Sequence, residues 1–288
     1  MKELRIIIAV LMATTALLFS EEEKEKPKEE EKKPVPIFTD KNLEKAVRKY
    51  VFEKRYNEEP ITAEDVEQLS TIQGKNMGIR DLSGLEHCIS LASLDLENNN
   101  IRDISQIAEL KRIQSLNLAK NKIKDISVLG GIMALQYTEL SKNLISDITP
   151  LSTLTNLTSI YLSDNRINTI NPILSLPKAT SLYLDNNQIE NIEGIGKLKW
   201  LSTVALRNNY VEDISPLKGL KRLYFLFLED NKIRNVQPLV QMIEEDMKDR
   251  KEFAPFVRIY LKGNPISKQD RKEKLDMLKE KHRTRLVY

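Results

Sequence analysis

Chemistry in this chain of 288 residues would have to come from few places. His87 and His282 are its only histidines, and Cys88 is its only cysteine. A metal centre built on several imidazoles is therefore excluded, and no intrachain disulfide can form. His87 beside Cys88 suggests a thiolate–imidazole pair. Cys88, however, lies three repeat periods before Leu154, at a register that faces inward, where an unpaired cysteine acts as a small buried hydrophobe. His282 stands in a basic tail with no evident partner. Asp81, Asp103, Asp125, Asp147 and Asp213 recur at one register and resemble a calcium ladder. One carboxylate per unit is too few for a hard cation that takes six or more oxygens, so turn capping by the Asp side chain is the stronger reading. No glycine-rich phosphate loop is present. No catalytic residue, metal ligand or cofactor is assigned.

The second set of candidates is aromatic and charged: Tyr137, Tyr161, Tyr183, Asp185, Arg207, Phe225, Phe227, Glu229 and Tyr260. Their relation emerges from a different residue type. Asn99, Asn121, Asn143, Asn165, Asn187, Asn209 and Asn231 stand 22 residues apart. Each closes a stretch LxxLxLxxN, as in Leu91, Leu94, Leu96 and Asn99. A fixed period of this kind marks stacked supersecondary units. In each unit the alternating leucines define a short strand, whose intervening residues face the opposite side. The middle such position reads Asp95, Asn117, Glu139, Tyr161, Tyr183, Ala205, Phe227 and Tyr260 down the stack, and is expected to form a continuous column. The column before it adds Tyr137 and Phe225; the one after it supplies Asp185, Arg207, Glu229 and Lys262. Six aromatics thus gather on the middle and C-terminal part of one face. Strand propensity and stacking between repeats would account for them structurally. An exposed run of Tyr, Phe and Arg is also what anchors interfaces, which favours a binding face. Serine at Tyr161, Tyr183 and Phe227 is then expected to spare the fold and its melting.

Several elements must hold that face. Residues 1–20 read as a signal peptide, with Lys2 and Arg5 before an apolar run from Ile6 to Phe19. Leu18 fits the cleavage rule poorly, so an uncleaved anchor is the alternative and the one expected route to a membrane. Residues 21–36 are a Glu/Lys-rich spacer ending in Pro34 and Pro36. Residues 37–68 form a helical cap: Leu43, Ala46, Val47, Tyr50 and Val51 share one helix face, with Thr39 or Asp40 as cap, and Thr62 with Asp65 begins a second short helix. The repeats occupy residues 69–266. An atypical first unit has Met77 in place of Asn, and a last unit has Phe256, Ile259, Leu261 and Asn264. Between Asn231 and Asn264 lies one period plus 11 residues, predicting a charged helix near residues 241–252 on the loop side. The half-repeat IxDISxLxxL predicts tight 3₁₀ turns, and Pro150, Pro172, Pro216 and Pro238 share a register that needs no backbone donor. Residues 267–288 read as a helical C-terminal cap with a solvated, mixed-charge face. Lys and Arg (45) nearly balance Asp and Glu (42), so no global field points to nucleic acid.

The period, the Asp213–Leu217 DISPL turn and the preceding helical cap resemble the bacterial internalin-type leucine-rich repeats, a class shared with the SDS22-like regulatory subunits of protein phosphatase. The resemblance covers residues 38–267. It implies an α/β horseshoe solenoid with a parallel concave sheet, 3₁₀ turns on the convex side and helical caps at both ends. It implies a non-enzymatic interaction module. The expected reading is an exported monomer (secreted, periplasmic or at the cell surface) that binds a protein partner on its concave aromatic face, in adhesion or at a host or envelope surface. A phosphatase-regulator-like intracellular adaptor is the alternative. The chain departs from surface internalins in showing no immunoglobulin-like domain or sorting signal after the repeats.

Overall fold

The computed structural model describes residues 35–249, 252–282 and 284–288. The expected signal peptide and almost all of the charged spacer lie outside these residues. Ten three-residue strands form one parallel sheet in sequence order, from β1 (Thr71–Gln73) to β10 (Arg285–Val287). Eight of them follow the leucine pattern: β2 (Ser93–Asp95), β3 (Ser115–Asn117), β4 (Tyr137–Glu139), β5 (Ser159–Tyr161), β6 (Ser181–Tyr183), β7 (Thr203–Ala205), β8 (Phe225–Phe227) and β9 (Arg258–Tyr260). Every pair is in strict register, so Ile72, Leu94, Leu116, Thr138, Ile160, Leu182, Val204, Leu226, Ile259 and Leu286 form one inward row. All ten are buried. The core is continuous from Phe38 to Leu286, as a solenoid requires, because no single repeat can cover its own apolar face.

The asparagine ladder explains how the loops stay buried without stranding their backbone. Asn165 Nδ2 donates to the carbonyls of Leu140 (3.0 Å) and Leu162 (3.0 Å), and its Oδ1 accepts the N–H of Ile145 (3.0 Å). The other ladder asparagines repeat this set, and Asn264 keeps it across the longer last interval, accepting from Ile233 N at 3.0 Å and donating to Leu228 O at 2.7 Å. Each side chain therefore ties its own turn to the one before it. The residue preceding each ladder Asn adopts left-handed backbone, as at Lys120 (φ 56°) and Lys142 (φ 59°). Only the last of these positions, Gly263, is a glycine.

On the opposite side the chain turns through short 3₁₀ segments such as Ser127–Gly131, Thr149–Thr153, Asn171–Ser175 and Ser215–Gly219. The aspartates expected to cap them do so: Asp103, Asp125, Asp147 and Asp213 accept the N–H two residues on at 2.7–2.9 Å. Thr169, Asn191 and Asn235 fill the missing registers with the same bond. A hydroxyl and two amides do the work of the carboxylate, so charge is not what the position needs. No cluster among the described residues could hold a metal ion.

Helix α1 (Lys41–Arg48) buries Leu43, Ala46 and Val47 and is capped by Asp40, whose Oδ1 accepts the N–H groups of Asn42 (2.8 Å) and Leu43 (3.1 Å). Thr39, the other candidate cap, instead bonds Asp81. Asp40 Oδ2 also takes the Arg80 N–H at 2.7 Å, fastening the cap to the first turn. Helix α2 (Ala63–Val66) opens on the expected Thr62–Asp65 capping box.

Three expectations change at the C-terminal end. The inserted helix, α3 (Gln237–Lys248), starts before residue 241, at the register of the 3₁₀ turns, and buries Leu239, Val240, Met242 and Ile243. It is a convex turn lengthened into an α-helix and packed on the core, not merely a charged bulge. Phe256 does not take the inward leucine position: it is exposed, and Phe253 and Val257 are buried instead. The insertion lets the chain re-enter the sheet by a turn of its own, so the leucine count resumes only at Ile259. Finally, the tail contains a helix, α4 (268–282, with a π-helical stretch at Arg271–Asp276), that buries Leu275 and Leu278, and then β10, which extends the sheet beyond the last asparagine.

Candidate interaction face

The concave face presents the three columns expected from the spacing. Gln73, Asp95, Asn117, Glu139, Tyr161, Tyr183, Ala205, Phe227, Tyr260 and Val287 are register partners in the middle one. All six aromatics point to this face, but they form two stacks rather than one column. Tyr161 and Tyr183 lie parallel at 4.6 Å, with Tyr137 tilted against Tyr161 at 5.4 Å. Phe227 stacks on Tyr260 at 4.8 Å and runs parallel to Phe225 at 5.8 Å. Ala205 separates the two stacks, and its small side chain is fully buried.

Arg207 packs on the C-terminal stack. Its guanidinium sits 3.8 Å from the Phe227 ring centroid, and it ion-pairs with Asp185 (3.1 Å) and Glu229 (3.2 Å) from the repeats on either side. Asp185 Oδ1 also accepts the Arg207 N–H at 2.8 Å. Burial raises the Asp185 pKa, and the Arg207 bonds and charge offset this only in part. Burial likewise raises Glu139, against the lowering effect of the Ser141 bonds. The Tyr137 hydroxyl is pushed up to about 12 by burial and then by the charge of Glu139, so it stays a neutral donor over the physiological range. Cys88 is buried and its thiol is pushed up to about 12 by desolvation, with Glu86 nearby. Both effects disfavour the thiolate that a nucleophile needs.

The rings are half-buried, since each covers its neighbour. Stacked pairs contribute about 0.5–1.5 kcal/mol beyond area burial. Serine at Tyr161, Tyr183 and Phe227 will therefore lower the melting temperature, contrary to the expectation from sequence. Two arginines not singled out from the spacing lie over rings: Arg222 over Trp200 at 4.3 Å, in the turns that lead into β8 and β7, and Arg258 over Phe225 at 5.5 Å beside the C-terminal stack. Arg258 was recoverable in principle, because it stands two residues before Tyr260 as Phe225 stands before Phe227.

Leucine-rich strands, an asparagine ladder and 3₁₀ turns on the far side define a leucine-rich repeat solenoid, a fold that serves protein–protein interaction. The family model for leucine-rich repeats in two copies matches residues 180–219. Internalin C2 of Listeria monocytogenes is similar at 32% identity and a TM-score of 0.68, over 73% of this chain and 94% of that one. Internalin F of the same organism follows at 25% identity and 0.63, over 82% and 87%. The chain belongs to the internalin-type leucine-rich repeat proteins. The ectodomain of a plant membrane receptor kinase from Arabidopsis thaliana, solved in complex with Casparian strip integrity factor 2, shares the fold at 20% identity and a TM-score of 0.56, over 71% of this chain and 24% of that one. Comparison with curated proteins gives no match. Among the described residues no helix is long and apolar enough to cross a membrane.

Proposed function

We propose that the chain is an exported, non-enzymatic module that binds a protein partner on its concave face. The observation that carries this is the pair of aromatic stacks with Arg207 held against the C-terminal one: rigid rings and a preordered guanidinium are the groups that anchor interfaces at low entropic cost. Tyr161, Tyr183 and Phe227 are the central anchors, and Tyr137, Phe225 and Tyr260 extend them. Asp185, Arg207 and Glu229 set polarity between the stacks. The receptor ectodomain of the same fold, solved with its bound factor, supports a proteinaceous partner. Asp, Arg and Tyr side chains here hold one another in place rather than flanking a cleft with a free acid–base pair, which favours binding over catalysis.

The test is capture by the immobilised chain, with wild type compared with the Tyr161→Ser/Tyr183→Ser/Phe227→Ser variant at a temperature where circular dichroism shows both folded. A partner held by wild type and lost by the variant is the expected result; equal capture overturns the concave-face reading. Export is tested separately by fractionation, which should recover a mature chain beginning near Glu21 outside the cytoplasm. A cytoplasmic full-length chain would instead point to the intracellular adaptor.

A further inference from the structure

At the C-terminal end of the first concave column, Phe225, Arg258 and Arg285 are consecutive register partners on β8, β9 and β10. Two arginines thus lie side by side on adjacent strands, ~4.8 Å apart by sheet spacing. Like charges so placed repel and weaken a sheet unless something neutralises them. Among the described residues no carboxylate lies within ion-pair distance of either one. Elsewhere on the same face three cations are matched: Lys75 holds Asp95 and Glu97, Lys120 holds Glu97, and Arg207 holds Asp185 and Glu229. The unmatched pair borders a cleft of about 200 Å³ whose other walls are Tyr224, Phe225, Pro255 and Phe256. Tyr224 and Phe256 are each 56% exposed, large rings left open to solvent on the rim.

We infer that this cleft is an anion-accepting subsite that takes an acidic segment of the protein partner, carboxylate side chains entering the arginine pair while an apolar neighbour rests on Tyr224 and Phe256. Guanidinium forks match carboxylates in a bidentate geometry, and the apolar walls exclude water from the contact. The subsite rests on the concave-face reading and specifies the partner's charge. It also accounts for the exposed Phe256: the turn that keeps this ring out of the core puts it on the cleft.

The test uses the full-length purified chain and a fluorescein-labelled hexaglutamate peptide, read by fluorescence polarisation. Wild type should bind it, more weakly as salt rises from about 20 mM to about 0.3 M, and should not bind hexalysine. Arg258→Ala/Arg285→Ala should weaken binding roughly tenfold or more without lowering the melting temperature, since it removes a repulsive pair. Arg258→Glu/Arg285→Glu should reverse the preference to hexalysine, which a merely misfolded variant would not do. The inference is overturned if hexaglutamate fails to bind, if the alanine variant binds it as well as wild type, or if inorganic phosphate displaces the peptide more effectively than free glutamate at equal concentration. The Tyr161→Ser/Tyr183→Ser variant should keep the peptide while losing the partner, so failure of the subsite and failure of the concave-face reading are told apart.

Discussion

Replacing Asn165 by alanine should cost about 2 kcal/mol of unfolding free energy. The side chain serves three buried backbone groups at 3.0 Å: the carbonyls of Leu140 and Leu162, and the N–H of Ile145. Alanine strands only the Ile145 N–H, at a cost of about 1–3 kcal/mol, because the Leu140 carbonyl keeps Asn143 Nδ2 (2.9 Å) and the Leu162 carbonyl keeps Asn187 Nδ2 (3.0 Å). The middle of that range, ~2 kcal/mol, is a sizeable part of a domain's typical ~5–15 kcal/mol. Urea denaturation followed by far-ultraviolet dichroism and by the fluorescence of Trp200, the only tryptophan, measures it; coincident transitions would license two-state treatment. Exposed Lys124→Ala serves as control and should shift stability by less than about 0.5 kcal/mol. The Asn165→Asp variant sharpens the reasoning. Its carboxylate keeps an acceptor for Ile145 but points negative charge at two carbonyls, so burial and repulsion raise its pKa in the folded state. A group with a raised folded pKa favours folding when protonated, and that contribution falls as pH rises. The aspartate variant should therefore be less destabilised near pH 4 than at pH 7. A cost for Asn165→Ala below about 1 kcal/mol, or an aspartate variant unaffected by pH, would refute the ladder as a satisfier of buried backbone.

Other predictions follow from single contacts. Thr138 occupies a core leucine position with a buried hydroxyl that has no hydrogen-bond partner. Thr138→Val should stabilise the chain by roughly 1 kcal/mol, and a lower melting temperature would contradict this. Burial raises the Glu139 pKa above its ordinary 4.5, so the folded state holds that proton more tightly and loses the advantage as pH rises through the raised value. Glu139→Gln should then stabilise at pH 7 and have little effect near pH 3, as paired thermal melts would show. Cys88, with its thiol pushed up to about 12, should resist a disulfide-exchange reagent at pH 8 until the chain is denatured. Fast reaction in the native state would show that the outer side opens there.

The repeats were legible because their determinants are local and repeated. Leu91, Leu94, Leu96 and Asn99 are enough to orient a turn, and the same spacing recurs until Asn231. Legibility failed where that period was interrupted. Counting back from Asn264 assigns Phe256 to the core, but the α3 insertion decouples the approach to β9 from the turn after it. β10 was missed because it has neither leucine spacing nor asparagine; it exists because β9 offers an open edge and α4 returns the chain to it. On the concave face the column membership of Tyr161 and Phe227 follows from strand alternation alone. Its division into two stacks does not, since that depends on how rings across Ala205 lean and on a guanidinium drawn by Asp185 and Glu229 at once.

The direction of the asparagine bonds has a consequence for how the protein comes into being. Each ladder Oδ1 receives an N–H from the preceding turn, as Asn99 does from Ile79 and Asn121 from Ile101. A repeat emerging during synthesis therefore holds one buried donor with no acceptor until the next asparagine has been made, 20 residues later than the group it serves. Assembly from the N-terminus must trail synthesis by nearly one full turn. Any chain cut short within the ladder ends on an incomplete unit, whichever repeat the cut follows. Completion has to come from outside the pattern: the Ile266 N–H, with no asparagine to follow, bonds the Asn264 carbonyl at 2.8 Å, and β10 pairs the strand edge left open at β9.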